Sequence, residues 1–440
     1  NFIARLLQQE GIFYYFEHTQ SSHKLILADK AAAYEPNAEA KVKFFSGSLS
    51  EAHIHSWQKA LVMAPGKFVQ RHFDLKKPTA LPTGTASKGQ LVTGHADYEV
   101  FNYAAEADYH PRIKNIAAIR LEALQRDIER RRGGSNCRSF SIGKTFTLTE
   151  HEDSAEVGKQ YVLTEVVLTA AITNQTGAQK VAKQEITNQF YCVPKEVVYR
   201  PHLTVAKPVI NGVQSATVTG KGGEDISIDE LGRVTVKFHW DRSDVNDDHS
   251  SCAIRVSQSW AGKKWGSFFY PRKDQEVLVE FLNGDPDQPI IIGSVYNSDN
   301  MPPYTLPSDK TQSGIKSRSS KDGGAANFNE IRFEDKKGQE LLYLHAEKDF
   351  ELQVENNQTD VVGKDRLSTI NGSDTESVKK DRKSTIDGSD TLKVGKKLSI
   401  TAADGITIKT GAASISMKSD GSIDIKGTNI TIKGSKVSIN

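Results

Sequence analysis

The sequence predicts a mainly β protein in three parts: an α+β domain, a small barrel of short strands, and a needle in which three identical chains intertwine as a trimeric β-helix. Three observations carry this. β-branched apolar residues recur every eight positions from Val362 to Val394. Short strands, three of them with two-residue alternation, run through residues 205–300, and the first 204 residues combine an amphipathic helix with an alternating aromatic strand. The expected boundaries are 1–204, 205–300, a linker and neck over 301–350, and the repeats over 351–440.

In the first domain Ile3, Leu6 and Leu7 share one face of a short helix stopped by Gly11, and Ile12–Phe16 follow as a strand. A second helix carries Ile113, Ile116, Ala117, Leu121, Leu124 and Ile128, and is expected to end in the solvated run Arg130-Arg131-Arg132-Gly133-Gly134. The chain opens Asn1-Phe2-Ile3 on a helix with no strand before it, so this domain is expected to begin partway through.

In the second part Val234, Val236, Phe238 and Trp240 alternate with polar residues, and Ile254/Val256 and Val277/Val279/Phe281 repeat the pattern. Turn residues separate the strands, Glu230-Leu231-Gly232 before the first and Asn283-Gly284-Asp285-Pro286 after the third. Short strands with tight turns over this length suit an oligonucleotide/oligosaccharide-binding (OB) type barrel. Gly232, Val234, Val236, Phe238, Trp240, Val256, Trp260, Gly266 and Pro271 are its expected core and motif residues.

The last part looks disordered by composition, being rich in Lys, Asp, Ser, Thr and Gly, but it is periodic. Val362, Ile370, Val378, Ile386 and Val394 stand eight apart, and Lys364–Thr375 recurs at Lys380–Thr391. After Gly405 the pattern tightens to the pairs Ile406/Ile408, Ile415/Met417, Ile423/Ile425, Ile430/Ile432 and Val437/Ile439. One apolar side chain per octad, worth about 1.5–3 kcal/mol on full burial, cannot offset the entropy of ordering eight backbone residues. Three chains about one axis can share an interior and pair their backbones, which removes free strand edges. The expected axial residues are Val362, Ile370, Val378, Ile386, Val394, Ile406, Ile408, Ile415, Ile423, Ile425, Ile430 and Ile432.

Global properties narrow the function. Lys and Arg number 57 against 55 Asp and Glu, a formal net charge of +2, which gives no electrostatic case for nucleic acid or an anionic membrane. No apolar run approaches the roughly 18 residues of a membrane helix, and no signal peptide is visible. Cys137, Cys192 and Cys252 are far apart and read as reduced thiols of a protein made in a reducing cytosol. No CxxC or HExxH pattern supports a metal site, and no catalytic or cofactor-binding set is expected.

Several segments are then similar to the valine-glycine repeat (VgrG) spike family of type VI secretion systems. They are Asp229–Val234 through Phe238–Arg242, Ile254–Gly262, Gly266 through Pro271-Arg272, Gln275–Val279 through Asn283–Asp287, and Pro289–Gly293. Asn329–Asp335 with Gly338-Gln339-Glu340 resembles the family's neck motif, and Ala4–Ile12 a segment of its hub domain. The resemblance implies the fused hub and spike architecture of contractile phage tails: phage-hub-like domain, OB barrel, three-chain needle. It also implies a homotrimer that caps a tube of haemolysin-coregulated protein (Hcp), carries a PAAR-repeat tip, and takes effectors or adaptors into a target cell. The protein would wait in the bacterial cytoplasm before firing and then be secreted or injected. A prophage baseplate hub or tail-spike protein is the alternative with the same physics.

Features suggesting other chemistry have plainer readings. Asp229/Glu230 and Asp244/Asp247/Asp248 sit in turn contexts, His53 and His55 on a strand, and His239 on a strand beside Trp240. Gly220-Lys221-Gly222-Gly223 lacks phosphate-loop spacing. Trp240, Trp260, Trp265, Phe268, Phe269 and Tyr270 suggest base stacking, but acids equal bases around them, so packing within or between barrels is expected and nucleic acid is not. About 30 residues separate the barrel from the neck, too few for an inserted enzymatic domain. A depolymerase would need an acidic cleft between chains.

Overall fold

The computed structural model describes residues 1–88, 96–103, 112–173 and 183–438; Ile439 of the last apolar pair lies outside them. The chain divides into two compact units, Asn1–Glu351 and Leu352–Asn440.

The first unit opens on helix α1 (Phe2–Gln9) and the hairpin β1 (Phe13–His18) and β2 (His23–Ala28). Gly11 takes the left-handed φ of +71° that ends the helix. Phe13, Tyr15 and Ala28 pack the hairpin's inner face against Tyr34, Val162 and Val193. Six strands then close a barrel: β3 (Glu35–Phe44), β4 (His53–Leu61), β8 (Glu129–Ser135), β9 (Lys144–Leu148), β10 (Gln160–Thr173) and β11 (Lys183–Pro194). Between β4 and β8 lies a small sheet, β5 (Lys67–Arg71), β6 (Thr83–Ser87) and β7 (Glu99–Tyr103). Helix α2 (Ile113–Gln125) packs Ala117 and Leu121 on Phe68.

The arginine run is a barrel strand, which corrects the expectation of a solvated helix end. The helix stops at Gln125, and β8 pairs with both β4 and β11. Arg131 is fully buried. Its Nε donates to Glu156 Oε2 at 3.0 Å and its Nη2 to Glu156 Oε1 at 2.7 Å and Glu129 Oε1 at 2.5 Å. The Tyr161 hydroxyl donates to Glu156 Oε2 at 2.6 Å and Trp57 Nε1 to the same oxygen at 3.3 Å. Gly133 is the close-approach residue, since a Cβ there would collide with the Phe190 ring filling the barrel. Cys137 and Cys192 lie in the same core; burial pushes the Cys137 thiol up to about 12 and that of Cys192 well above its ordinary value.

The second barrel comprises β12 (Gln214–Thr219), β13 (Thr235–Phe238), β14 (Arg255–Val256), β15 (Glu276–Phe281) and β16 (Pro289–Val295), in the order β13-β12-β15-β16-β14. Reciprocal backbone hydrogen bonds between Val234 and Ile254, at 3.0 and 2.7 Å, join the two edge strands and close the sheet. Val218, Val234, Val236, Ile254, Val277 and Val279 fill it. Lys207 ties the entering chain to this barrel through Asp285 at 2.6 Å and Asp287 at 2.7 Å. A three-stranded neck follows: β17 (Gln312–Lys316), β18 (Glu330–Glu334) and β19 (Leu341–His345).

The second unit contains no strand from Leu352 to Asp404, then an antiparallel meander, β20 (Gly405–Thr410), β21 (Ala413–Lys418) and β22 (Ile423–Lys426). Pairing of these three strands within one chain departs from the uniform interchain winding expected of residues 351–440.

Burial alone would raise the Glu156 carboxyl, but the Arg131 guanidinium and Tyr161 hydroxyl overcome it and hold it at about 2 against an ordinary 4.5. A depressed carboxyl contributes stability above its unfolded value and loses it as pH falls through its folded one. This cluster is therefore expected to contribute on the order of 3 kcal/mol above pH 4.5 and to lose it between 4.5 and about 2. Hydrogen exchange of the β8 amides checks this. Glu156→Gln should speed exchange strongly near neutrality, and its difference from the parent should close as pH falls through that window.

Candidate trimer interface

Single-sided sheets mark the place where this chain is incomplete. In the neck, register places Ile315, Ile331 and Leu344 in one row and Ser313, Phe333 and Leu342 in the next, all on one face. All five apolar members are exposed. The opposite face is furnished by its own chain: the Arg332 guanidinium lies 4.6 Å from the Tyr343 ring centre and Lys316 Nζ 3.8 Å from that of Phe328. Glu330, on that face, is buried.

The β20–β22 meander repeats the design. Ile408, Ile415 and Ile425 stand in one row and Ile406, Met417 and Ile423 in the other, with Thr407, Ser416 and Asp424 behind. Ile408, Ile415, Ile423 and Ile425 are exposed and Ile406 is half-buried, as isolated sheets with one apolar face must be.

Between Leu352 and Ala402 the backbone makes no hydrogen bond to its own backbone among the described residues. It bends at 355–356, 363–364, 371–372, 379–380, 387–388, 395–396 and 403–404, a strict period of eight. Each bend directly follows one axial position. Val362, Ile370, Val378, Ile386 and Val394 occupy five of them, and Val354 and Ala402 extend the series at either end. Sequence periodicity missed those two because Val354 precedes the first punctuating glycine and Ala402 is not β-branched. Ile430 and Ile432 follow the meander, exposed like the octad residues. Exposed N–H and C=O groups of this kind bond to water in a single chain and are free to accept another strand.

The barrel residues divide. Val234 and Val236 are buried, Pro271 is buried, and Phe238 and Val256 pack against the core. Trp240 and Trp260 are each 64% exposed, so of the two placements expected for them, within the barrel or between barrels, the first is corrected. The strand ends at Phe238, so His239 and Trp240 lie in the following turn, with Trp240 stacked on Phe238 at 5.2 Å. Trp260 meets Trp265 edge-on at 5.0 Å across the turn where Gly266 has a φ of +135°. Gly232 sits at φ +69° in the turn opened by Asp229. Asp229 is a turn residue: its carboxylate accepts from the Leu231 and Arg233 amides and from Arg233 Nε at 2.6 Å. Burial opposes ionisation there, but those donors outweigh it and hold the carboxyl below its ordinary value. Asp247, Asp248 and His249 cluster on an exposed loop. His53 bonds the carbonyls of Glu51 and Gly47, a structural role.

Three family models match: a phage tail baseplate hub over residues 1–175, a type VI secretion system/phage-baseplate injector OB domain over 224–296, and the bacteriophage T4 gp5 C-terminal trimerisation domain over 313–426. The type VI secretion system spike protein VgrG1b of Pseudomonas aeruginosa is 41% identical over 383 residues, 84% of this chain and 50% of its own length. VgrG1c of the same organism is 39% identical over 381 residues, 84% and 51%. The chain thus spans about half the length of these curated relatives. An E. coli type VI secretion component described as structurally similar to T4 tail proteins gp27 and gp5 superposes with a TM-score of 0.40 at 18% identity, over 67% of this chain and 59% of that one. The trimerisation match begins at the neck sheet and ends at β22, the stretch whose apolar faces are uncovered.

Charging the neck face tests its role. Ile331→Asp with Leu344→Asp is expected to lower the assembled mass in light scattering, whereas Thr407→Asp, on a polar face, should leave it unchanged.

Proposed function

The chain belongs to the VgrG family of type VI secretion system spike proteins, and from that premise we propose that three copies form the cell-puncturing spike of a contractile injection apparatus. The role is mechanical and not enzymatic. The spike caps the Hcp tube, carries a PAAR-repeat tip and effectors or their adaptors, and waits in the bacterial cytoplasm until firing drives it out of the cell or into a target. The observation that supports this best is the seven-bend segment with unpaired backbone, set between two sheets with one uncovered apolar face each. Winding three such chains together gives every strand a partner and every axial Val or Ile two symmetry mates. It also fits the needle's task, since interchain bonds along its length must break together and unfolding becomes slow.

A second reading, a prophage baseplate hub or tail-spike protein, draws on the phage hub match over residues 1–175. The same trimer serves both machines.

Light scattering on the purified chain should give three times 48.5 kDa, with a species that resists detergent and protease. Ile386→Asp, which charges one axial position, should abolish the resistant species and, in a bacterium firing such an apparatus, the release of tube protein into the medium. A resistant trimer that survives Ile386→Asp would sink the axial assignment.

A further inference from the structure

Straight between its bends, the needle segment alternates sides, so residues two and four positions before each axial residue share the axial side. Side-chain contacts agree with this alternation. Gln358 Nε2 donates to Asp360 Oδ2 at 3.0 Å, and Arg382 Nη1 lies 2.7 Å from Glu376 Oε2, all on the axial side. Exposure sets the axial positions themselves apart: Val362, Ile370, Val378, Ile386 and Val394 are 43–53% exposed, against 89% and 92% for Val361 and Leu367 on the other side and 72% for Leu392, two before Val394.

The axial side changes character along the needle. Leu352 accompanies Val354 at one end, and Leu398 and Ile400 accompany Ala402 at the other. The middle carries Asp360, Arg366 and Asp374, then Glu376, Arg382 and Asp390, with Gln358, Ser368 and Ser384 among them and Leu392 as its one apolar member besides the axial residues. These are two acid–Arg–Asp triplets sixteen residues apart, each Arg standing six residues after one acid and eight before the next.

We propose that the two triplets form a charged zone inside the trimeric needle, in which Arg366 and Arg382, the latter already 2.7 Å from Glu376 of its own chain, reach carboxylates of the other two copies with their remaining donors and set the register of the three chains. This rests on the trimer reading above. The need for such a device follows from the repeat itself. A slip of one chain by eight residues still stacks Val on Ile, so the axial column barely distinguishes right from wrong registers. The same slip exchanges an Arg layer for an Asp layer on the slipped chain. Charged groups enclosed in a rod are tolerated only when paired, and a guanidinium has five donors to divide among several carboxylates. A buried polar residue that specifies register is a known use of such groups in other intertwined rods.

The test uses the full chain as parent, Arg382→Glu, the exchange Asp390→Arg with Arg382→Glu, which involves no pair made within one chain, and Lys380→Glu in a bend as the control. The readout is the lifetime of the detergent-resistant trimer at low and high salt. Arg382→Glu should shorten that lifetime by about tenfold or more, the scale expected for breaking an enclosed ion pair. The exchange variant should recover most of the loss, Lys380→Glu should change little, and the differences should persist at high salt because enclosed pairs are poorly screened. A parent-like Arg382→Glu trimer would overturn the proposal, as would no recovery on exchange or an effect that high salt abolishes. A monomeric parent would instead bring down the trimer reading, and this proposal with it.

Discussion

The constraint that governs this chain is an unmet backbone. From Leu352 to Ala402 its peptide groups find no backbone partners within the chain, and a row of unpaired N–H and C=O groups is a template for pairing with another chain. The apolar side of the problem matches it. The neck face of Ile315, Ile331, Phe333, Leu342 and Leu344 and the meander face built on Ile408, Ile415 and Ile425 are both uncovered. Hydrogen bonding and apolar burial thus call for the same kind of partner, and the proposed trimer supplies it as a second and third copy of the same strand. Either demand alone would leave the choice of partner open.

The first unit solves its own problem differently. Its six-stranded barrel encloses Arg131, a residue that almost never enters a core unless paired, and pairs its Nε and Nη2 with Glu129 and Glu156, with Tyr161 and Trp57 donating to the second carboxylate. This barrel closes on itself within one chain. The contrast locates the incompleteness in the neck and needle.

What was legible in the sequence follows this division. Local period announces the needle: one apolar residue per octad and glycines at the bends are visible without knowing what they touch. Strand alternation likewise revealed the second barrel and its buried Val234 and Val236. The first barrel was not legible, because β8 takes its identity from β4 and β11, which are distant in sequence, and from Glu156, 25 residues beyond Arg131. Arg-Arg-Arg-Gly-Gly carries no strand pattern of its own; a helix ended by basic residues was the better local reading. Trp240 failed for a related reason. Alternation from Val234 predicts an inward side chain, but the strand ends at Phe238, and one irregular turn undoes the parity on which the pattern depends.

The needle also separates two properties that a rigid rod must have. Stability can come from many equivalent positions, and the near-identical octads supply it. Uniqueness cannot, because equivalence is what allows one chain to slide along another. In this sequence the apolar positions are nearly interchangeable, while the charged ones on the same side follow an order that does not repeat at eight residues. A needle of Val and Ile throughout would bury more apolar surface and tolerate misalignment. In the proposed trimer Arg366 and Arg382, set among carboxylates, give up part of that burial and make one alignment of the three chains better than its neighbours.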